Sequence, residues 1–186
     1  MPMTTINTAP QYLVITAIGE NKTGLVSELA GLVYQCGCNV VDSKMAIFAN
    51  EFSIIMLLEG EHVDLLQLET QLPPLAMSLS LLTMMKRTQK RHLADDLNNH
   101  YLISIDGPDK AGTIKVFTSY LAKQGIDITS LKSGTEIRQG NKWQSAQIEC
   151  LMPTEQTVNS IESEFVSLCS SYEMSCTISP ITIEVN

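Results

Sequence analysis

Gly19-Glu20-Asn21-Lys22-Thr23-Gly24 joins the apolar run Leu13–Ile18 to a helix-patterned segment that begins at Leu25. A buried strand that ends in glycine, crosses a polar turn and opens a helix leaves backbone N–H groups pointing outward, a small cradle for an anion. The motif returns 88 residues later. Gly107-Pro108-Asp109-Lys110-Ala111-Gly112 follows Tyr101–Asp106 and precedes Thr113–Leu121, with the same five-residue step between its glycines. The chain therefore reads as two copies of one unit, and its function is expected in what two such units do together.

Outward from the first copy, Tyr12–Ile18 is too uniformly apolar for a half-exposed strand and reads as a central one. Leu25, Leu29 and Val33, joined by Val26 and Ala30, form a stripe at helical spacing that Gly37 ends. Residues 39–48 are extended, with Val41, Ser43, Met45 and Ile47 on one face, and a turn at Ala49-Asn50 returns the chain as a hairpin from Glu51 or Phe52 to Leu58. Leu65, Leu68 and Leu72 mark a second helix, which Pro73-Pro74 is expected to stop, and residues 75–85 are expected to form a fourth strand.

After the charged stretch 86–99 the order repeats. Tyr101–Ile105 is a strand, and Ile114, Phe117 and Leu121 stripe a helix that Gly125 ends. Residues 126–137 and 142–152 form a hairpin about Arg138-Gln139-Gly140-Asn141. Ile161, Phe165 and Leu168 mark the last helix, capped by Thr154 after Pro153, and a strand from Tyr172 or Met174 to Val185 closes the unit. The expected architecture is α+β: two βαββαβ units, each an antiparallel four-stranded sheet with two helices on one face. A lead-in precedes the first domain at 10–88, a linker spans 89–99, and the second domain covers 100–186.

At 186 residues the chain holds one ordinary domain or two small ones, and the repeat decides for two. Units of this size bury little alone, so they are expected to pack on each other or in a homo-oligomer. A formal charge of −8 argues against a broad phosphate-backbone footprint. Lys86, Arg87, Lys90 and Arg91 form a local basic cluster, either a solvated linker or a contact for an acidic partner or nucleic acid, with Asp95 and Asp96 just beyond it. No secretory pattern opens the sequence and no apolar run reaches about 20 residues, so a cytoplasmic protein without a membrane span is expected. The five cysteines form no repeated framework, which fits reduced thiols.

The candidate chemistry lies in the cradles. N–H groups after Gly19 and at the start of the following helix suit a carboxylate, aided by the positive end of the helix dipole. Asn39, at the opening of the next strand, offers both donor and acceptor to an amino acid, although it should lie near the helix's far end unless another unit brings it across. Asp127 aligns with it in the second copy and suits an ammonium. The same residues also have a purely structural reading, glycine to let the chain turn and Asn or Asp to cap it.

The third glycine and the parallel sheet of a dinucleotide fold are missing, and so is a lysine-containing phosphate loop. Cys36 and Cys38 have one residue between them rather than the two of a redox or zinc knuckle, and His62, His92 and His100 do not converge, so neither a metal, a cofactor nor a catalytic set is expected.

The two units resemble ACT domains, regulatory modules of ferredoxin-like fold. The full chain is similar to the bacterial family of tandem-ACT repressors of the glycine cleavage system. The markers are Leu13-Val-Ile-Thr-Ala-Ile-Gly19, Gly24-Leu-Val, Cys36-Gly-Cys-Asn39, Asp42-Ser-Lys, Glu51-Phe and Leu81-Leu-Thr-Met-Met-Lys-Arg-Thr88, and the likeness spans roughly residues 10–180. It implies ligand-binding residues Gly19, Asn21, Gly24, Leu25 and Asn39, with Gly107, Asp109, Gly112, Thr113 and Asp127 in the second copy. The family loop has an acid two residues after its first glycine, which Asp109 matches and Asn21 does not.

The resemblance further implies glycine as effector and a transcriptional activator of the same operon as partner, with no direct contact to nucleic acid and no enzymatic activity. An amino-acid-binding or ligand-free ACT module of another pathway is the alternative.

Overall fold

The structure, a computed structural model, describes residues 10–89, 99–152 and 155–181, the side chains of 155–159 excepted. Most of the lead-in, Lys90, Arg91, His92, Asp95 and Asp96, the Pro153-Thr154 cap and the last five residues lie outside the described residues. The chain divides into two compact units, Met1–Arg91 and His92–Asn186.

Unit 1 runs β1 (Gln11–Glu20), α1 (Leu25–Gln35), β2 (Asn39–Phe48), β3 (Glu51–Gly60), α2 (His62–Ser78) and β4 (Leu81–Thr88). Its strand order is β2-β3-β1-β4, with every neighbouring pair antiparallel. Unit 2 repeats this as β5 (His100–Pro108), α3 (Thr113–Lys123), β6 (Asp127–Arg138), β7 (Asn141–Leu151), α4 (Glu155–Ser171) and β8 (Ser175–Pro180), in the order β6-β7-β5-β8. The α+β fold of two ferredoxin-like βαββαβ units is thus the one expected.

The apolar run of β1 is central in its sheet, yet only one of its faces is covered. Leu13, Ile15 and Ala17 are buried, while Val14 and Thr16 are half-buried and Ile18 is exposed. On the covered face Phe52, Ile54, Met56 and Leu58 of β3 continue the layer, and α1 and α2 close it with Leu25, Leu29, Leu32, Leu65, Leu68 and Leu72. Each leucine so buried contributes roughly 1.5–3 kcal/mol relative to exposure. Unit 2 builds the same layer from Ile103, Ile105, Ala146 and Ile148 under Phe117 and Phe165, whose rings meet edge to face at 5.8 Å. Gly37 (φ 75°) ends α1 as expected, its N–H donating to the Tyr34 carbonyl while that of Cys38 reaches Val33.

One expectation is corrected. α2 does not stop at Pro73-Pro74 but runs through both to Ser78, and the fourth strand begins at Leu81 rather than 75. The prolines sit on the exposed side of the helix. The carbonyls of Glu69 and Thr70, which lose their helical donors there, can therefore take water. Ala76 is buried against the core and Leu75 packs on it, which rewards one further turn.

Candidate functional site

The two glycines of each motif have different jobs. Gly24 (φ 98°, ψ −11°) and Gly112 (φ 87°, ψ 0°) are the N-cap residues of α1 and α3, in the left-handed region that favours glycine. Gly19 and Gly107 instead allow close approach of another segment. A Cβ on Gly19 would lie 2.6 Å from the Ser80 carbonyl oxygen, and one on Gly107 would lie 2.8 Å from Met174 Cα and 3.0 Å from the Glu173 carbonyl oxygen. Ser80 (φ 58°) and Glu173 (φ 61°) are themselves left-handed, so each unit presses the turn before its last strand onto the end of its first. The recurrence of this first glycine is therefore explained by packing.

The loop between the glycines is tied to the hairpin turn beside it. The Asn21 N–H donates to the Asn50 carbonyl at 2.8 Å, and in unit 2 the Asp109 N–H donates to Lys142 at 3.0 Å. Beyond the loop, the carbonyls of Gly24 and Gly112 accept from the N–H groups of Glu28 and Val116, both at 3.0 Å. Neither α1 nor α3 has a side-chain cap, since glycine supplies none. α2, by contrast, closes its first turn with a capping box between Glu61 and Asp64. The first turn of α1 thus keeps the outward donors and positive dipole end that suit a carboxylate, while the first N–H of α3, that of Thr113, already donates to the Lys110 carbonyl at 3.4 Å.

Leu25 and Thr113 open these helices with buried side chains, so Leu25 can offer a ligand only its backbone, and the Thr113 N–H is already turned to the Lys110 carbonyl. The Thr113 hydroxyl is already committed, donating to the Lys110 carbonyl at 3.2 Å and bonding the Gln144 side chain. Asn21, Gly24, Asp109 and Gly112 are exposed at the same end of their sheets.

Asn39 and Asp127 are not brought to the loops of their own units. Gly19 pairs with Phe52 whereas Asn39 pairs with Glu59, seven residues along β3, or about 24 Å at strand spacing. Gly107 and Asp127 are parted in the same way, by Gln144 and Leu151 of β7. The expected set therefore forms two clusters in each unit.

The basic-stripe reading loses a member. Arg87 donates to both carboxylate oxygens of Glu69, at 2.6 and 2.9 Å, and to Gln11 at 3.0 Å. This bidentate pair joins β4 to α2. Among the described residues no group of three or more metal-ligating side chains converges. Cys36 and Cys38 are core residues, burial pushing the Cys38 thiol up to about 11.

A polar cluster that the sequence reading missed lies beside the second loop. Asp106 Oδ2 accepts from Arg138 Nη1 at 3.0 Å and from Trp143 Nε1 at 2.6 Å, and the Arg138 guanidinium lies 5.2 Å from the centre of the Trp143 ring. The signal was an aspartate closing an apolar strand, with the chain's one tryptophan near the start of the strand that pairs with it, two positions from the direct partner Ser145.

Comparison with known proteins accords with this architecture. Residues 11–86 match the family model for the ACT domain. The glycine cleavage system transcriptional repressor of Escherichia coli (strain K12) is 32% identical over 161 residues, which is 86% of this chain and 84% of that protein. The protein of that name from Shigella flexneri matches to the same extent. A crystal structure assigned as a glycine cleavage system transcriptional repressor superposes with a TM-score of 0.71 at 30% identity, covering 92% of this chain and 98% of the other. A protein from Galdieria sulphuraria shares the fold, with a TM-score of 0.72 at 20% identity over 92% of this chain and 99% of its own. The two bacterial relatives and the first of these crystal structures carry the name of a transcriptional repressor, and the chain belongs to the glycine cleavage system transcriptional repressor family, built from ACT-type βαββαβ units.

Proposed function

We propose that this protein is a cytoplasmic, glycine-responsive repressor of the glycine cleavage operon that acts by associating with the operon's transcriptional activator rather than by touching DNA. The observation that carries the reading is the first turn of α1, left without a side-chain cap behind a left-handed glycine. Its N–H groups suit the carboxylate of a small amino acid. The ligand-binding residues are Gly19, Asn21, Gly24, Leu25 and Asn39, with Gly107, Asp109, Gly112, Thr113 and Asp127 as the second set. Since Asn39 lies far along its own sheet, it serves a ligand at the loop only when another module supplies it, which favours a homo-oligomer. The net charge of −8 and the engagement of Arg87 by Glu69 support a protein partner over nucleic acid.

Glycine need only prefer the unassociated form to release the activator, because coupling between two sites is reciprocal. Calorimetric titration with glycine, serine and alanine tests the site: glycine binds selectively, and Asn39→Ala weakens it. Binding indifferent to that change places the ligand elsewhere. Glycine affinity is also expected to be higher for the free protein than for its complex with the activator, and equal affinities would remove the release mechanism.

A further inference from the structure

Each unit bears a shallow depression at the same place on the sheet face away from its helices, and the two are lined by different chemistry. In unit 1 it measures about 440 Å³ and is walled by Ile18, Ile55 and Ala46, with Lys44 at its edge. In unit 2 it measures about 400 Å³, and the equivalent positions are Asp106, Gln147 and Gly134, with Lys132 in place of Lys44. Two further wall positions carry hydroxyls in both, Thr16 and Ser53 in one, Ser104 and Ser145 in the other. An apolar dish in the first copy is thus a polar cup in the second.

Strand register orders the cup. Asp106, Ser145 and Gly134 lie in one row across β5, β7 and β6, while Ser104, Gln147 and Lys132 lie in the next. Asp106 and Lys132 therefore stand at diagonal corners, about 12 Å apart between Cα positions by standard strand spacings. Arg138 and Trp143 both donate to Oδ2 of Asp106, fixing the carboxylate and leaving Oδ1 as its second acceptor. Gly134 has open space where a Cβ would point, which keeps the floor clear. A volume of this size falls at the small end of ligand sites, roughly 300–1,000 Å³.

We infer that this cup is a second small-molecule site, distinct from the loop site, for a free α-amino acid with a polar side chain. Asp106 takes the α-ammonium and the flexible Lys132 the α-carboxylate, while Gln147, Ser104 and Ser145 meet the side chain. Unit 1, with isoleucine where Asp106 and Gln147 stand, does not bind such a molecule and serves as an internal control.

The test titrates the full chain with L-asparagine, L-glutamine and L-serine, read by Trp143 fluorescence and by calorimetry. At least one of the three is expected to give a saturable change in emission. Lys132→Met and Gly134→Val, the latter filling the floor, each weaken it at least about tenfold, a difference of 1.4 kcal/mol, whereas Ala46→Val in unit 1 does not. Lys132 is exposed, so its replacement leaves the fold intact, with far-UV circular dichroism as the check. No saturable change with any of the three, or binding that survives both unit 2 variants, overturns the site. Binding abolished by Asn39→Ala but kept in Gly134→Val assigns the signal to the loop and also overturns it.

Discussion

Gly107→Ala isolates the packing role of the first glycine from any role in ligand binding. The added methyl would meet Met174 Cγ at 2.7 Å, Met174 Cα at 2.8 Å and the Glu173 carbonyl oxygen at 3.0 Å. Two of these are main-chain atoms in a left-handed turn, and Met174 is a core residue, so neither neighbour can simply rotate away. β5 is held between β7 and β8 and has no free edge toward which to shift. Overpacking of this kind costs about 1–3 kcal/mol, offset by about 0.4–1 kcal/mol from the reduced freedom of the unfolded chain. A net loss of about 1–2 kcal/mol corresponds to a fall in Tm of roughly 4–16 °C for a unit of this length.

Trp143, the chain's one tryptophan, sits in β7 and donates to Asp106, the residue before Gly107. Its fluorescence during thermal unfolding in ligand-free buffer therefore follows the affected unit. Gly134→Ala is the control: a Cβ there meets nothing within 4 Å, so stability should hold or rise by up to about 1 kcal/mol. If Gly107→Ala melts within about 1 °C of the parent while the control behaves as stated, close approach does not explain the recurrent glycine.

The Glu69–Arg87 pair should leave a pH signature. Hydrogen bonding from Arg87 holds the Glu69 carboxyl below its ordinary range, so its contribution is full above about pH 4.3, the unfolded value, and is lost as pH falls through the lower folded one. Glu69→Gln is expected to cost about 0.5–1 kcal/mol at pH 7 in urea unfolding and progressively less under acid conditions; a cost independent of pH removes the pair as its cause. Among the five thiols Cys176 should react first with iodoacetamide in the native protein. It is the one not fully buried, and a hydrogen bond from Cys169 lowers its pKa. Peptide mapping that finds Cys150 or Cys36 labelled earlier contradicts this.

Much of the fold was legible because its punctuation is local. Gly37 and Gly125 stop helices through their own φ, and the 88-residue repeat carries the element order from one unit to the next. The continuation of α2 through Pro73-Pro74 was not legible, because it depends on which side of the helix faces water and on the burial of Ala76 beyond the prolines. The site was only half legible. Spacing located the loops, but it could not separate a glycine needed for its φ from one needed for close approach, since Ser80 and Glu173 lie far along the chain from Gly19 and Gly107. Nor could it show that Asn39 and the first loop occupy opposite ends of one sheet, which follows from the antiparallel register of β3.

The two copies agree where the backbone leaves no choice and diverge where it does. Gly19 and Gly107, or Gly24 and Gly112, are held by steric distance and by φ, so their identity reports the fold and says little of the ligand. Positions on the sheet face away from the helices add nothing to the core, and there Ile18, Ile55 and Ala46 are matched by Asp106, Gln147 and Gly134. Replacing two isoleucines with an aspartate and a glutamine forfeits apolar surface worth roughly 1.5–3 kcal/mol per side chain if that face were ever buried. The second copy is thus unsuited to dry burial of this face and suited to hydrogen bonding. The loops differ in where the acid stands rather than in net charge, Glu20 with Lys22 in the first and Asp109 with Lys110 in the second. Two modules of one fold therefore present different surface chemistry, and the proposed function, which pairs response to a small molecule with the holding of a protein partner, calls for at least two such surfaces.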